Sequence, residues 1–461
     1  MATTLETTFA VTFANLVMGR GATREVGDHV ADLGLRRVLL VTDPRLRELP
    51  PVGIALESLR RCGVDTDVFD AVEVEPTDTS FEAAGEVAAA GDYDGFVAVG
   101  GGSVIDTAKA ANLLATHPAP LLDYVNRPIG EGKPPPGPLR PLIAVPTTAG
   151  TGSETTGVAI LDRRALHAKT GIAHRFLRPT LGIVDPDNTR TLPPMVAASS
   201  GFDVLSHALE SYTAIPFDSR PAPERPSLRP SYQGANPFSD VWARRAIEMV
   251  AQALPRVVDD ASDDEARELM SLAATYAGIG FGNAGVHLPH GMSYAVSGMV
   301  RAFVPAGYPA GKALIPHGMS VILNAPVGCR GRRVSPRGAP RGPHATDRRA
   351  RRARDRRLHR RRRACARRGD AAAGARHQAG AADRRSGDAR GAVPRRHDRG
   401  LTRERERRPN DQWPAPSASP SRSIVIDRNR IGSRVSCSGP CATRPSNISE
   451  SPGESSYVCR P

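Results

Sequence analysis

The first 190 residues alternate short apolar runs with longer stretches of helical periodicity. Three runs are the clearest. Residues 37–42 end at Asp43-Pro44, residues 95–100 end in glycines, and residues 142–146 end at Thr147-Thr148. Between them, 78–90 and 103–115 carry helical patterns. Runs this short and apolar, separated by helices, predict parallel strands of a sheet buried on both faces. From about residue 191 the pattern turns helical. Pro193-Pro194 starts a predicted helix over 195–213, and others follow over 238–254 and 263–280. A linker rich in Pro and Arg, 216–237, interrupts them. No internal repeat is visible.

The apolar pattern stops near Val327. Between 331 and 420 the only Val, Leu, Ile or Phe residues are Val334, Leu358, Val393 and Leu401. Such a stretch cannot bury enough apolar area to offset the entropy of ordering it, so disorder is expected. Charge divides at the same place. Residues 1–330 hold 28 Lys and Arg against 36 Asp and Glu, a net −8. Residues 331–461 hold 34 Arg, no Lys and 12 acids, a net +22, which together give the +14 of the whole chain. Two readings of the tail follow. One is a basic arm that attracts phosphate backbones, making a nucleic-acid-binding protein. The other is a shifted reading frame in a GC-rich gene, favoured by 28 Arg and no Lys over 331–410. The tail also lacks aromatic residues interleaved for base stacking, so specific nucleic-acid binding is not expected.

Cys62 is the one cysteine well inside the front part, which excludes a disulfide framework. The N-terminal residues lack the basic and apolar regions of a secretory signal and the Arg-rich look of a transit peptide. No run of 18 or more apolar residues exists, so no membrane span is expected. These features predict a cytoplasmic protein.

Candidate chemistry sits at strand ends and on helices. Gly100-Gly101-Gly102-Ser103 follows a strand and opens a helix, and Asp106 and Lys109 follow one and two turns on. Glycines let a backbone approach a pyrophosphate, and a helix N-terminus favours its charge. Three glycines are also a tight turn. The stretch 146–154 supplies Thr147, Thr148 and Thr151, hydroxyls suited to ribose and phosphate, or a plain Ser/Thr turn. Together the two loops predict a bound dinucleotide. Asp203 and His207 stand four apart on one helix face. Alone they read as a surface ion pair. His290 and His317 change that, because each follows a proline and precedes Gly-Met-Ser. One carboxylate and three imidazoles suit Zn or Fe(II). His287 is a further candidate ligand, or a supporting or core histidine.

These motifs resemble the iron-containing (group III) alcohol dehydrogenase family over the front 328 residues. The resemblance is carried by the Gly-Gly-Gly-Ser-x-x-Asp-x-Ala-Lys run, the Pro-Thr-Thr-Ala-Gly-Thr-Gly-Ser-Glu run and the Asp-x-x-x-His…His…His set. Residues 74–80, 229–240 and 278–294 resemble its hydroxyacid–oxoacid transhydrogenase branch. Tyr294 stands where many alcohol dehydrogenases of the family carry a second His. The resemblance implies an α/β N-terminal nucleotide-binding domain with a parallel sheet (1–190) and an all-α metal-binding domain (191–328). The latter is incomplete beside the family's, and 329–461 has no counterpart. It implies Asp203, His207, His290 and His317 as catalytic metal ligands, usually to Fe(II). It implies Gly101, Gly102, Ser103, Asp106, Thr147, Thr148, Thr151 and Lys169 near the cofactor. Asp43 is implied near the adenosine ribose, where a carboxylate favours NAD over NADP; a turn cap is its other reading. The implied reaction moves hydride through NAD from a 4-hydroxy acid such as 4-hydroxybutyrate to a 2-oxo acid such as 2-oxoglutarate. A plain NAD-dependent alcohol dehydrogenase is the alternative. Arg229 and Lys169 are candidate partners for the substrate carboxylate, and a homo-oligomer is expected.

Overall fold

Six short parallel strands form the sheet that positions everything else. They are β1 (Asn15–Met18), β2 (Arg37–Val41), β3 (Asp65–Phe69), β4 (Gly95–Gly100), β5 (Leu142–Pro146) and β8 (Leu181–Val184), in the order β1-β8-β5-β4-β2-β3. Two further strands, β6 (Val158–Arg163) and β7 (Ala168–Ala173), make a separate antiparallel pair. The structure is a computed structural model, and it describes residues 4–166 and 168–331.

Alternation along each strand sorts its side chains onto two faces. Val38, Leu40, Val97, Val99, Ile143 and Val145 point to one face, against α1 (Val26–Asp32) and α2 (Pro50–Arg61). Leu39, Val41, Phe96, Ala98 and Ala144 point to the other, against α3 (Asp78–Ala90) and α4 (Gly102–Thr116). Both faces are covered, as the apolar runs require. A short α5 (Leu121–Tyr124) follows. The chain passes from β2 to β3 on one side, then back to β4 on the other. That reversal opens a crevice at the carboxyl ends of β2 and β4, where open α/β sheets bind ligands.

From Pro194 onward the long regular elements of the described chain are helices. They are α6 (Pro194–Thr213), α7 (Pro237–Asp259), α8 (Asp264–Ala284), α9 (Leu288–Met299), α10 (His317–Ile322) and α11 (Ala325–Gly331). Small residues set the spacing of α6, α7 and α8. Ala208, Ala243, Ala246, Ala273 and Ala277 are all buried at their contacts. A side chain at Gly201 would meet Leu254 at 2.2 Å. The sheet part and the helices touch at two glycines. Gly152 is left-handed (φ 61), and a Cβ on it would lie 2.7 Å from Gly278 Cα of α8. Backbone meets backbone there, so the loop after β5 is pressed directly onto the helical part.

The expected α/β sheet followed by helices is therefore the observed architecture. Among the described residues, no helix is long and apolar enough to cross a membrane. The Arg-rich stretch expected to be disordered from 329, and with it the nucleic-acid reading, lies outside the described residues. Its first residues are the exception, because they complete α11.

Candidate metal and nucleotide site

One helix face starts the site. Asp203, His207 and Glu210 sit at i, i+4 and i+7 of α6 and are all buried. His290 lies in the first turn of α9, and His317 is the first residue of α10. The repeated His-Gly-Met-Ser has a local cause. In each copy the buried serine, Ser293 or Ser320, donates to the carbonyl of its histidine at 2.7 Å. The glycines differ. A Cβ on Gly318 would lie 1.9 Å from Ser199 O and 2.9 Å from Asp203 Cβ, whereas Gly291 faces open space. Gly318 lets α10 start against α6, which brings His317 to the cluster.

Three ring nitrogens converge on one carboxylate oxygen. His290 Nε2, His207 Nε2 and His317 Nε2 lie 3.5, 3.7 and 3.8 Å from Asp203 Oδ1. Asp203 Oδ1 and His290 Nε2 are buried and make no hydrogen bond. The candidate donor atoms of Asp203, His207 and His290 all lie within 4.8 Å of one another. Donors about 2.1 Å from a shared cation stand roughly 3–3.5 Å apart, so this set fits one ion with slight contraction. Orphaned polar atoms are otherwise costly to bury.

The charges around the cluster are strongly biased. Burial would raise the Asp203 carboxyl, but His207, His317 and His290 outweigh it and hold it well below the usual carboxylate range. Burial pushes His207 down to about 4 against the pull of Asp203, which keeps its lone pair available at neutral pH. His290 is raised to about 9, because the carboxylates of Glu210 and Asp203 outweigh its burial.

Glu210 is the residue that the sequence reading passed over. Its Oε1 accepts from His290 Nδ1 at 2.5 Å, and its Oε2 accepts from His287 N at 2.5 Å. Carboxylates behind histidines fix the tautomer and aim the other nitrogen. The signal available was its position one turn beyond His207. His207 is oriented differently, by stacking on Phe281 at 4.0 Å and 12°. His287 sits behind the cluster, against Thr213 Oγ1 at 2.9 Å.

The nucleotide candidates surround the crevice. Gly101 caps α4, whose N-terminus opens toward the ligand side. Packing also demands these glycines: a Cβ on Gly102 would lie 2.5 Å from Thr151, and one on Gly101 3.2 Å from Thr148. The tight-turn reading of these glycines is thus compatible with the phosphate reading. Ser103 Oγ accepts from Glu75 N at 3.2 Å. Asp43 Oδ1 caps the following turn through Arg45 N and Leu46 N, at 2.9 and 3.0 Å. Asp106 spends both oxygens internally, on Ser153 Oγ at 2.5 Å and Ile160 N at 2.9 Å.

Lys169 is buried between Glu75 and Asp162, whose carboxylates outweigh its burial and hold its amine well above its ordinary range. Its charge is already matched. Glu75 carries a left-handed backbone (φ 57), a conformation unfavourable for any side-chain-bearing residue. Arg229 pairs with Glu6 at 3.0 Å and does not line the cleft described next.

Apart from Arg229 and His287, the candidate residues meet in one cleft of about 740 Å³. Asp43, Gly101, Gly102, Ser103, Asp106, Thr147, Thr148, Thr151 and Lys169 line it from the sheet side. Asp203, His207, His290 and His317 line it from the helices. A ligand-sized cleft with the candidate nucleotide residues on one wall and the candidate metal ligands on the other has the lining of an enzyme active site.

Comparison with known proteins agrees. Residues 14–186 match the model for iron-containing alcohol dehydrogenase, and residues 231–325 match that for the C-terminal part of the Fe-containing alcohol dehydrogenase family. The chain belongs to the iron-containing alcohol dehydrogenase family. Its relatives include the mitochondrial hydroxyacid-oxoacid transhydrogenases of Mus musculus and Homo sapiens, 55% and 53% identical over 326 residues, 70% of this chain and 70% of each relative. Among solved structures, 1,3-propanediol oxidoreductase matches at TM-score 0.60 and 30% identity, covering 70% of this chain and 76% of that one. Sulfoacetaldehyde reductase from Bifidobacterium kashiwanohense, solved with NAD+, matches at TM-score 0.58 and 29% identity, covering 70% and 77%. The mitochondrial relatives overturn the cytoplasmic expectation. The physical reason is that compartment is set by targeting segments read apart from the fold, so the composition of a folded domain does not report it.

Proposed function

We propose that this chain is a hydroxyacid–oxoacid transhydrogenase. The reaction oxidises the hydroxyl-bearing carbon of a 4-hydroxy acid such as 4-hydroxybutyrate and reduces the carbonyl carbon of a 2-oxo acid such as 2-oxoglutarate, with NAD, held in the cleft, as the hydride carrier. One acid is oxidised by two electrons and the other reduced by two, and the proton released in the first half is taken up in the second. The observation that carries the reading is the single cleft, with nucleotide loops on one wall and the Asp203, His207, His290 and His317 cluster on the other.

Those four residues would hold a divalent cation, with iron(II) the family's ion and zinc compatible with the same donors. When bound, the cation supplies Lewis-acid polarisation of the substrate oxygen, while the nicotinamide supplies the redox chemistry. The chain's own residues do the rest. Glu210 aims His290. The α4 N-terminus, Thr147, Thr148 and Thr151 would hold the pyrophosphate. Asp43, with one oxygen spent on its turn, would offer the other to the ribose and so favour NAD. A homo-oligomer is part of the same reading.

The test supplies both acids to the metal-loaded protein without free NAD. Deuterium placed on the hydroxyl-bearing carbon of 4-hydroxybutyrate should appear on C2 of the 2-hydroxy acid product. Absence of label transfer would end the reading. The alcohol dehydrogenase neighbours favour one alternative, a simple NAD-dependent alcohol dehydrogenase. It would release NADH stoichiometrically into solution.

A further inference from the structure

The acids named above share a geometry. In 4-hydroxybutyrate the reacting carbon stands three carbon–carbon bonds from the carboxylate carbon. In 2-oxoglutarate the carbonyl carbon stands three such bonds from the distal carboxylate. One anion anchor, at one distance from the metal cluster, would serve both halves of the reaction. The inference rests on the functional reading just given.

The usual cation for such an anchor is not free. Three cations line the cleft among the described residues: Arg45, Arg127 and Lys169. Lys169 is matched by Glu75 and Asp162. Arg45 and Arg127 are exposed, so they stand at the rim.

Two phenols are free. Tyr232 and Tyr294 both line the cleft, and neither hydroxyl has a protein partner among the described residues. Tyr294 lies one turn after His290 on α9, hence on the same face. An extended four-carbon acid spans roughly that advance, about 5.4 Å. Tyr232 comes from the linker after α6 and is held firmly. Its neighbours Gln233 N and Gly234 N donate to Asn283 O and Ala284 O at the end of α8, at 2.8 and 2.9 Å. Its ring lies on Gly285, which is left-handed (φ 97), and a Cβ there would meet Tyr232 Cβ at 2.8 Å. Four residues before Gly285, Phe281 stacks on His207. The 229–240 and 278–294 segments, which resemble the transhydrogenase branch, therefore meet at the end of α8, and each sends one phenol to the cleft that the cation cluster lines.

We propose that Tyr232 and Tyr294 anchor the carboxylate shared by the hydroxy acid and the oxo acid, and so select acids over plain alcohols. Burial raises both phenols, and each raises further beside neighbouring carboxylates such as Glu210 and Asp106. Both keep their protons and remain donors. A phenol-to-carboxylate hydrogen bond is charge-assisted, and a site built around it rejects analogues that lack the acceptor.

The experiment uses Tyr232→Phe and Tyr294→Phe in the full metal-loaded chain. It compares kcat/KM for 4-hydroxybutyrate and for butan-1-ol, which matches its length without the carboxylate. The acid-over-alcohol preference should fall at least tenfold in each variant, through KM for the acid. Succinate, an unreactive diacid, should bind about tenfold more weakly by calorimetry. An unchanged preference with unchanged succinate affinity would overturn the anchor. Equal losses for acid and alcohol, with succinate affinity unchanged, would reduce the tyrosines to structural parts and overturn it too. If the parent protein turns over neither acid, the functional reading fails, and the succinate titration still decides on the anchor.

Discussion

Glu210 Oε1 accepts a hydrogen bond from His290 Nδ1 at 2.5 Å, and this contact decides which nitrogen of His290 faces Asp203. With Nδ1 spent as donor, Nε2 is the nitrogen aimed into the cluster, and it can bind a cation once its proton is displaced. Partners of this kind typically contribute 10–100-fold to metal affinity. Glu210→Gln keeps the shape and removes the charge. Its affinity for the cation, measured by competition with a chelator, should fall by about that factor while the fold persists. An unchanged affinity would mean that packing alone orients His290.

Two glycines in matching sequence positions should behave oppositely. Gly318→Ala places a methyl 1.9 Å from Ser199 O, so α10 must move off α6 and carry His317 with it. Overpacking of this kind costs about 1–3 kcal/mol or more, and activity should fall with it. Gly291→Ala meets nothing within 4 Å and should change stability by about 0.5 kcal/mol or less. Denaturant melts and turnover of the pair check this. Equal tolerance would show that α10 is not seated through Gly318.

Much of this arrangement was legible beforehand, for physical reasons. Helices α3, α4 and α6 begin and end within a residue of their predicted bounds, because their apolar periodicity is long, whereas α8 runs one turn past its predicted end. Strands β2, β4 and β5 appeared as apolar runs because both of their faces are covered. The β6–β7 pair and the edge strands β1 and β3 did not, since their burial is mixed and leaves no clean pattern. Asp203, His207, His290 and His317 showed through spacing and repetition. Glu210 did not, because a lone glutamate on a helix reads as a solvated charge until His290 arrives from 80 residues away. Lys169 entered only through the family resemblance, as a residue implied near the cofactor, and Glu75 and Asp162, which match its charge, are brought to it by the fold.

Lys109 should write itself into the pH dependence of stability. It is fully buried, donating to Ser153 Oγ at 2.6 Å and Val158 O at 2.8 Å, beside Asp106. Burial lowers its amine to about 8, with Asp106 opposing, against about 10.4 for a free lysine. The unfolded chain therefore binds the extra proton between these values, and stability should rise with pH from about 8 toward 10, by up to about 1.4 kcal/mol per unit. Below pH 8 both states are charged and the slope vanishes. Lys109→Met should abolish the slope. It should also cost about 3–5 kcal/mol at neutral pH by leaving Asp106 uncompensated. Urea melts at pH 8 and 9.5 decide; a variant retaining the slope would assign it to another group.

The cation cluster also predicts what removal and replacement of metal should do. Three imidazoles and one carboxylate favour Zn or Fe(II) over magnesium, which prefers oxygen ligands and keeps its waters. A chelator-stripped sample leaves Asp203 Oδ1 and His290 Nε2 buried without a partner, so it should melt earlier. A cation present at 100 times its dissociation constant stabilises by about 2.7 kcal/mol, which is several degrees in Tm for a domain of this size. Zinc or iron(II) should restore that difference, and equimolar magnesium should not. The four alanine variants at Asp203, His207, His290 and His317 should each shrink the zinc-dependent shift. Restoration by magnesium, or a shift that survives in His317→Ala and His207→Ala alike, would place the binding atoms elsewhere.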